Sequence, residues 1–292
     1  MNCRSVIIGL LARDCKESVE RNIPRIEKLC SYFADYHVVA VENDSTDGTQ
    51  QVLQDWAEKN DNVILDSFSD HSQRRMDSGP ERISHMAFLR NRILDYIKNQ
   101  SAPDLVVMMD VDIYDFDVVG IIDGITHAPE DWGGIFANGR SMLPNQKYLN
   151  AQYDQFAFMA CDEELSDMTY GIYTTRSLNR RGRLLNREVQ ACDYYPVKSA
   201  FGGIGIYRYK AISHLQYRTV MIDDRHHKAY CEHLPLHLDI IQQGYKNYIC
   251  RSMVVNYGLL RVSPAVAFLL YYCPQVYAVL CDISKYIHRI RG

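Results

Sequence analysis

The sequence lacks the marks of a zinc module, a disulfide-stabilised secreted domain and a nucleic-acid-binding domain. Its nine cysteines include no Cys-x-x-Cys pair, and an odd number cannot pair completely. The net charge of −4 excludes the strongly basic footprint that nucleic-acid binding usually requires. Met1 leads almost directly into SVIIGLLA, so we expect no signal peptide. These absences predict a cytoplasmic protein with reduced thiols and no nucleic-acid partner.

The sequence also has no long, uninterrupted apolar run. Its most apolar stretch, 262–292, is broken near the middle by Pro274 and Gln275. A membrane-spanning helix needs about 20 consecutive apolar residues, so a span is not expected. We expect an apolar and basic helical tail over 259–292, and two alternatives for it stay open. Either the tail packs on the domain as a final helix pair, or it holds the protein peripherally at the inner face of a membrane.

Strand and helix patterns alternate over the first 116 residues. Short apolar, β-branched runs are typical of buried strands, and the segments between most of them carry apolar residues at helical spacing. The predicted strands are SVIIGLLA (5–12), HVVAVE (37–42), NVILDSF (62–68) and PDLVVMMDVDIYDF (103–116). The predicted helices are 15–33, 49–60 and 85–100, with a polar loop over 70–84. This alternation predicts a parallel, doubly wound α/β sheet.

The second half of the chain is less regular. We expect strands or turns at 133–138 and 197–209, a helix at 231–245 and a strand at 247–258. The arginine-rich segment within 161–195 is typical of a loop region. Because no internal repeat or low-complexity linker interrupts the chain, we expect one continuous domain followed by the tail.

Polar residues follow three of the predicted strands. These groups are Ala12-Arg13-Asp14, Glu42-Asn43-Asp44 and Asp110-Val111-Asp112. In an open α/β sheet, ligands bind beyond the carboxyl ends of the strands, so the three groups are expected to meet. Two carboxylates on one extended segment point the same way and offer oxygen ligands to Mn²⁺ or Mg²⁺, with other positions left for diphosphate oxygens. A solvated turn is the alternative, but acids at the edge of a buried strand need compensation.

Three segments, VVAVENDSTDGTQQVL, MAFLRNRIL and VVMMDVD, in this order, resemble the glycosyltransferases of the GT-A fold. They most resemble the capsule-associated mannosyltransferase-type family and its bacterial relatives. The resemblance covers roughly residues 5–258 and is most specific over the first 116. It implies an α/β, GT-A (Rossmann-like), open and mostly parallel sheet flanked by helices. The catalytic domain would span 1–258, with a donor half of about 1–116 and an acceptor half of about 117–258.

The resemblance also implies an activity. The chain would be a metal-dependent glycosyltransferase that moves a hexose from a UDP- or GDP-linked donor to a glycan or lipid-linked acceptor. Cell-surface polysaccharide synthesis is the implied setting, and Mn²⁺ or Mg²⁺ the implied cofactor. The candidate donor-binding residues are Arg13, Glu42, Asp44, Arg82, Arg90, Asn91, Asp110, Gly202 and Gly203. The acceptor-side candidates are Tyr153, Asp154 and His233, and the candidate metal ligands are Asp110, Asp112 and Asn256.

Glu232 is the candidate catalytic residue. If the reaction inverts the sugar, a carboxylate must take the proton of the acceptor hydroxyl. If the reaction retains the configuration, a polar group beside the sugar stabilises the oxocarbenium-like charge. The alternative is a carboxylate that only stabilises a helix N-terminus. The neighbouring His233 has a similar alternative, since a lone histidine is more often an ordinary surface or core residue.

Two other functions and one local role stay open. A metal-dependent phosphohydrolase is a rival, although its aspartyl motif belongs on the first strand and Tyr114 stands where Thr or Val is expected. A non-catalytic glycan-binding protein that keeps the fold is the other alternative. The intact acids Asp110, Asp112 and Glu232 argue against it.

In the acidic segment after the second strand, we expect Thr46 or Asp47 to cap the following helix.

Overall fold

The computed structural model describes residues 4–71, 79–143, 147–165, 175–223, 228–259, 263–273, 275–277 and 279–280. The first half contains β1 (Ser5–Ala12), α1 (Lys16–Cys30), β2 (Asp35–Asn43), α2 (Thr49–Ala57), β3 (Val63–Phe68), α3 (Pro80–Lys98) and β4 (Leu105–Asp110). Every strand and helix predicted for this half is confirmed. Several boundaries were wrong, because α1 and α2 end before the expected residues 33 and 60, and α3 begins at Pro80, inside the expected loop over 70–84. Proline suits the first helical turn, where its missing N–H is not needed.

The second half contains further strands and helices. They are β5 (Asp115–Phe116), α4 (Val118–Thr126), β6 (Trp132–Met142), α5 (Thr175–Ala191), β7 (Tyr194–Val197), β8 (Ile204–Arg208), α6 (Tyr209–Ile212), β9 (Met221–Asp223), β10 (Lys228–Ala229), α7 (His233–Gln242), β11 (Lys246–Leu259) and α8 (Pro264–Tyr272). The loop expected over 161–195 is wrong, because α5 occupies much of it. Arginine is a good helix former, so a polar, arginine-rich segment does not argue against a helix.

Nine of the eleven described strands form one sheet in the order β3-β2-β1-β4-β8-β6-β11-β5, with β7 also paired to β11, and β9 and β10 form a separate antiparallel pair. The pairs β3–β2, β2–β1, β1–β4 and β6–β11 are parallel. β8 runs antiparallel to both β4 and β6, and β5 and β7 run antiparallel to β11. Six strands (β3, β2, β1, β4, β6 and β11) therefore share one direction, and the expected open, mostly parallel sheet is confirmed.

Helices cover both faces of this sheet. Ile8 and Leu10 of β1 belong to one apolar cluster, together with residues of α1, α2 and α4. Ile7 belongs to the other cluster, together with residues of α3, α5 and α7. Successive strand side chains point to opposite faces, so a strand covered on both faces is apolar throughout. This explains why the first strand could be predicted at its observed bounds.

The C-terminal tail begins with a capped helix. Ser263 accepts a hydrogen bond from the Val266 N–H and starts α8. Large apolar side chains at a spacing of four, Phe268, Tyr272, Val276 and Leu280, are each at least half exposed. No helix in the described ranges is both long and apolar enough to cross a membrane. Residues 281–292, which carry the basic end of the tail, lie outside the described residues.

Candidate active site

The predicted acidic pair lies at the carboxyl end of β4. β4 ends at Asp110, whose side chain is 27% exposed, and Asp112 is exposed in the following turn. The expected strand over 103–116 was therefore too long. Buried Asn22 of α1 explains the turn, because its amide donates to the carbonyls of Val111 (3.2 Å) and Ile113 (2.8 Å) in place of a neighbouring strand. Val111, between the two acids, is fully buried.

Arg90 of α3 connects this acidic turn to the start of α7. Its side chain is only 3% exposed. Nη2 donates to Oδ1 of Asp110, and Nε donates to Oε1 of Glu232, each at 3.0 Å. The rings of Phe201 and Tyr217 lie 4.9 and 5.9 Å from the guanidinium carbon. One buried cation thus brings together two predicted site acids that are far apart in sequence.

Glu232 immediately precedes α7 and is buried. Its carboxylate forms no capping bond with the helix and instead accepts from Arg90. The Cys231 thiol lies 3.5 Å from the second carboxylate oxygen. Burial, and next the charge of Glu232, raise the pKa of Cys231 well above its usual value, so this thiol stays protonated. The carboxylate is thus occupied by Arg90 and not by the helix N–H groups, and a catalytic role for it stays a prediction.

The two histidines of α7 lie in the interior. His233 is 2% exposed and stacks on Phe201 with ring centroids 4.0 Å apart. His237 shares hydrogen bonds of 2.8 Å with Ser199 Oγ and Tyr207 Oη. Burial, followed by the charge of Arg90, lowers the pKa of both, to about 3 for His237, so both rings are neutral. The burial of His233 argues against the acceptor contact predicted for it.

The glycine pair before β8 lies against the acidic turn. The carbonyl of Gly203 accepts a 3.0 Å bond from the Asp110 N–H, and Gly202 donates to Asp154 at 3.3 Å. Both glycines have positive φ, +63° and +93°. A Cβ on Gly202 would lie 2.3 Å from the Ala137 carbonyl oxygen. The backbone at Gly202 therefore packs directly against strand β6. Contact with a donor sugar stays a prediction.

Two tyrosines stack beside this glycine pair. Tyr153 is half exposed and stacks on Tyr257 with centroids 3.7 Å apart and planes at 22°. Burial raises the pKa of both phenols, and the charges of Asp154, Asp110 and Asp112 raise them further. Tyr153 was predicted as an acceptor-side residue, whereas no motif distinguishes Tyr257 from the other tyrosines among the 21 in the sequence.

The late metal-ligand candidate, Asn256, lies where β11 pairs with β5. It is 1% exposed, and its Oδ1 accepts from the Gly258 N–H at 2.9 Å. Its carbonyl accepts from the Tyr114 N–H at 2.8 Å, two residues after Asp112. Asn256 is therefore tied to the segment that follows the acidic pair. Metal ligation by it stays a prediction.

The acidic segment after β2 is built from internal hydrogen bonds. Glu42 is buried and accepts from the Ser45 N–H (2.9 Å) and the Ser67 hydroxyl (2.5 Å). Asp44 has a positive φ of 52° and accepts from the Ser69 hydroxyl. Asp47 accepts from the first N–H groups of α1 and α2, at 2.9 and 3.0 Å. The N-cap residue of α2 is Gly48, and neither Thr46 nor Asp47 occupies the cap position predicted for them. The nucleotide contacts predicted for Glu42 and Asp44 stay predictions.

The remaining donor-side candidates lie nearby on two elements. Arg13 directly follows β1, and Arg82 lies in the first turn of α3; both are half-buried. Asn91 uses both ends of its carboxamide on the backbone of Tyr217, donating to the carbonyl at 2.9 Å and accepting from the N–H at 2.8 Å. Donor binding by these three residues stays a prediction, and Asn91 has a defined part in holding Tyr217.

The acidic residues around Arg90 fit a hard divalent cation. Burial raises the pKa of Asp110; Arg90 opposes this shift, whereas Asp112 and Glu232 add to it. Burial also raises the pKa of Asp154, with a smaller contribution from Glu232. The acids exceed the one guanidinium between them, and carboxylate oxygens suit Mn²⁺ and Mg²⁺. The described residues contain no group of three or more His, Cys, Asp or Glu arranged to hold a metal. Metal binding by this group of acids stays a prediction.

The open, mostly parallel sheet, with acids after its fourth strand and mixed strands in its second half, agrees with the GT-A fold implied by the resemblance noted in the sequence. The chain belongs to the family described as cryptococcal mannosyltransferase 1, whose model matches residues 5–239. This result confirms the resemblance noted in the sequence. No match was found among curated proteins.

Solved structures show remote likeness. PcManGT, a mannosyltransferase from Pyrobaculum calidifontis in complex with GDP-Man and Mn²⁺, is 13% identical, with a TM-score of 0.49 and coverage of 100% of this chain and 65% of that chain. TarS 1–349 from S. aureus is 13% identical, with a TM-score of 0.47 and coverage of 94% and 68%. GalNAc-T7 with UDP, GalNAc and Mn²⁺ is 13% identical, with a TM-score of 0.49 and coverage of 88% and 44%. The chain thus spans about two thirds or less of each.

Proposed function

We propose that this protein transfers a hexose from a nucleotide-diphosphate donor to a glycan or lipid-linked acceptor, in a metal-dependent reaction that serves cell-surface polysaccharide synthesis. The observation that carries the proposal is the joining of Asp110 and Glu232 by Arg90 beyond the carboxyl end of β4. The family description supports a mannosyl donor as the first to test. UDP- and GDP-linked sugars are both candidates for the donor class.

The residues at this edge of the sheet divide into donor and acceptor roles. Asp110 and Asp112 would hold Mn²⁺ or Mg²⁺ together with the donor diphosphate. When bound, the cation supplies Lewis-acid stabilisation of the charge on the departing diphosphate. Glu232, held by its ion pair with Arg90, would take the proton of the acceptor hydroxyl or stabilise positive charge on the sugar ring. Tyr153, with its exposed ring beside the acids, would contact the acceptor.

The C-terminal tail bears on where the acceptor would be found. Its exposed apolar stripe, Phe268, Tyr272, Val276 and Leu280, is the kind of surface that enters a lipid interface, and the basic residues of the sequence after it favour anionic headgroups. We propose that the tail holds the protein peripherally on the cytoplasmic side of a membrane. A lipid-linked acceptor would then meet the active site at the membrane surface.

Nucleoside diphosphate release tests the proposed function. The full chain is incubated with Mn²⁺ and with UDP- or GDP-linked hexoses, including GDP-mannose, and the released UDP or GDP is measured. A thermal-shift series with the free nucleotides identifies the preferred base, because binding to the native state stabilises it. We expect one nucleotide to stabilise the protein in the presence of Mn²⁺ and its sugar conjugate to be turned over.

The same experiment separates the alternatives. A phosphohydrolase would cleave model phosphate esters without preferring a nucleotide, whereas a non-catalytic glycan-binding protein would consume neither substrate. Absence of both nucleotide binding and donor turnover would refute the proposal. The position of the acids after β4, and not after the first strand, favours the transferase over the phosphohydrolase.

A further inference from the structure

The guanidinium of Arg90 connects two carboxylates. Its Nε and Nη2 donate to carboxylates on two different elements, Glu232 before α7 and Asp110 of β4, and both distances are 3.0 Å. A planar guanidinium can serve two acceptors in fixed directions at once. A lysine ammonium is a point charge on a flexible stem and does not fix the angle between two partners.

Packing within the chain holds the Arg90 side chain in place without any ligand. The rings of Phe201 and Tyr217 lie beside the guanidinium. Asn91, the next residue of α3, binds the Tyr217 backbone through both its donor and its acceptor. The folded chain therefore sets the orientation of Arg90, and Arg90 in turn orients the carboxylates of Glu232 and Asp110 through its hydrogen bonds.

Arg90 is the ion-pair partner of Glu232. The Glu232 side chain is 5% exposed, and a buried carboxylate is retained only when it is paired and hydrogen-bonded. The other basic side chain recorded beside it is His233, whose Nε2 lies 3.7 Å away. That ring is buried and neutral, so Arg90 is the cation that faces Glu232 in the described part of the chain.

A direct contact between Arg90 and the donor is the competing explanation. Nη1 of Arg90 is buried and makes no hydrogen bond with the described residues. It would therefore suit a donor oxygen. The two explanations predict different kinetic effects, because a donor ligand contributes to binding, whereas a positioning residue acts through the group that it orients.

We propose that Arg90 is a positioning residue that fixes Glu232 relative to Asp110, and that it affects the reaction through Glu232 and not by binding the donor. The inference rests on the proposed function, because it assigns Glu232 a part in sugar transfer. The proposal also couples the candidate metal ligand Asp110 to the candidate catalytic residue Glu232, because Arg90 binds both.

The test is a double-mutant cycle of Arg90→Lys and Glu232→Gln in the full chain. For the wild type, both single variants and the double variant, kcat is measured by UDP or GDP release and Kd by calorimetry with the same nucleotide and Mn²⁺. Arg92→Lys is the matched control. Arg92 lies on the same helix and binds both oxygens of Asp66 at 2.6 Å, away from Arg90 and its two partners.

We expect Arg90→Lys to lower kcat by about 10²-fold, comparable to Glu232→Gln, and to leave nucleotide Kd nearly unchanged. In the Glu232→Gln background, Arg90→Lys should cause little further loss, since residues that act as a unit are not additive. Arg92→Lys should keep the wild-type kcat. A Kd raised tenfold or more, or losses that multiply in the double variant, would overturn the proposal in favour of direct donor contact.

Two further outcomes are separable. If wild-type protein turns over no donor, the proposed function is refuted, and this inference with it. If Arg90→Lys unfolds, Glu232→Gln is compared with Arg90→Gln/Glu232→Gln, which leaves no ionised Glu232 in the pocket. Equal kcat and Kd in that pair support the positioning role, and a raised Kd in the double variant contradicts it.

Discussion

Gly202→Ala should lower both the stability and the activity of the protein. The size of the stability loss can be estimated from the structure. The φ of +63° places Gly202 in the left-handed region, which costs an alanine roughly 1–2 kcal/mol. The added Cβ would also lie 2.3 Å from the Ala137 carbonyl oxygen, 0.7 Å inside the 3.0 Å that real Cβ atoms essentially never cross. The oxygen is backbone and the position of the Cβ is fixed by the backbone, so a strand or the glycine loop must move, at about 1–3 kcal/mol. We expect a total loss of roughly 2–5 kcal/mol.

Gly244→Ala is the matched control. Gly244 follows α7 with a φ of +89°, and a Cβ there would have nothing within 4 Å. The control therefore carries the backbone cost without the steric one, and we expect a loss of about 1 kcal/mol after the smaller entropy of the unfolded alanine chain is counted. Urea unfolding at equal slope measures the two losses.

The activity separates the two variants further. Gly202 donates to Asp154, and the next residue, Gly203, accepts from the N–H of Asp110. A shift of this loop would move Asp110, and misplacement by about 1 Å costs on the order of 10²-fold in rate. We expect Gly202→Ala to lose donor turnover to that extent and Gly244→Ala to keep it. Equal stability losses together with an unchanged rate for Gly202→Ala would refute the close-approach argument.

Four other predictions concern the site, the interior and the tail. Asp112→Ala should abolish donor turnover and the Mn²⁺-dependent part of nucleotide binding measured by calorimetry; full turnover in EDTA would contradict it. Glu232→Gln should lower kcat by ~10²-fold with donor Kd nearly unchanged, and a normal kcat would return this residue to a helix-terminus role. His237 has a pKa of about 3 in the fold against about 6.5 unfolded, so its contribution to stability is full above pH 6.5 and is lost as the pH falls toward 3; urea midpoints should fall accordingly, by up to about 1.4 kcal/mol per pH unit, and a flat profile would contradict the neutral, buried ring. Truncation after Gly258 should abolish flotation with anionic liposomes, and failure of the full chain to float would leave the tail a structural role.

The first half of the fold could be predicted because its signals are local. β1 was expected over 5–12 and is observed at Ser5–Ala12, since a strand covered on both faces is apolar at every position. α4 was not predicted, because VVGIIDGIT is short and contains two glycines. Its N-terminus is instead defined by Asp117, which accepts from the N–H groups of Val119 and Gly120.

The candidate site could be predicted only in part. Asp110 and Asp112 were visible because acids directly follow a buried run. The ion pair of Arg90 with Glu232 spans 142 residues, and no periodicity within either helix indicates it. In the sequence, Arg90 is indistinguishable from an ordinary surface arginine of an amphipathic helix. Arg92, two residues later, has a 34% exposed side chain, whereas that of Arg90 is 3% exposed. Burial of a charge is a property of the whole fold, and a single sequence does not contain it.

The direction of β8 explains which later residues reach the site. In a fully parallel sheet, the segments that follow strands would supply all ligand contacts. β8 runs antiparallel to β4, with Ile204 paired to Met109, so the residues that precede β8 lie beside the end of β4. Gly202 and Gly203 reach Asp110 for this reason. β11 runs with the main direction, and its far end brings Asn256 and Tyr257 to the same edge. In the second half of this fold, site residues therefore have to be sought before antiparallel strands and near the ends of parallel ones.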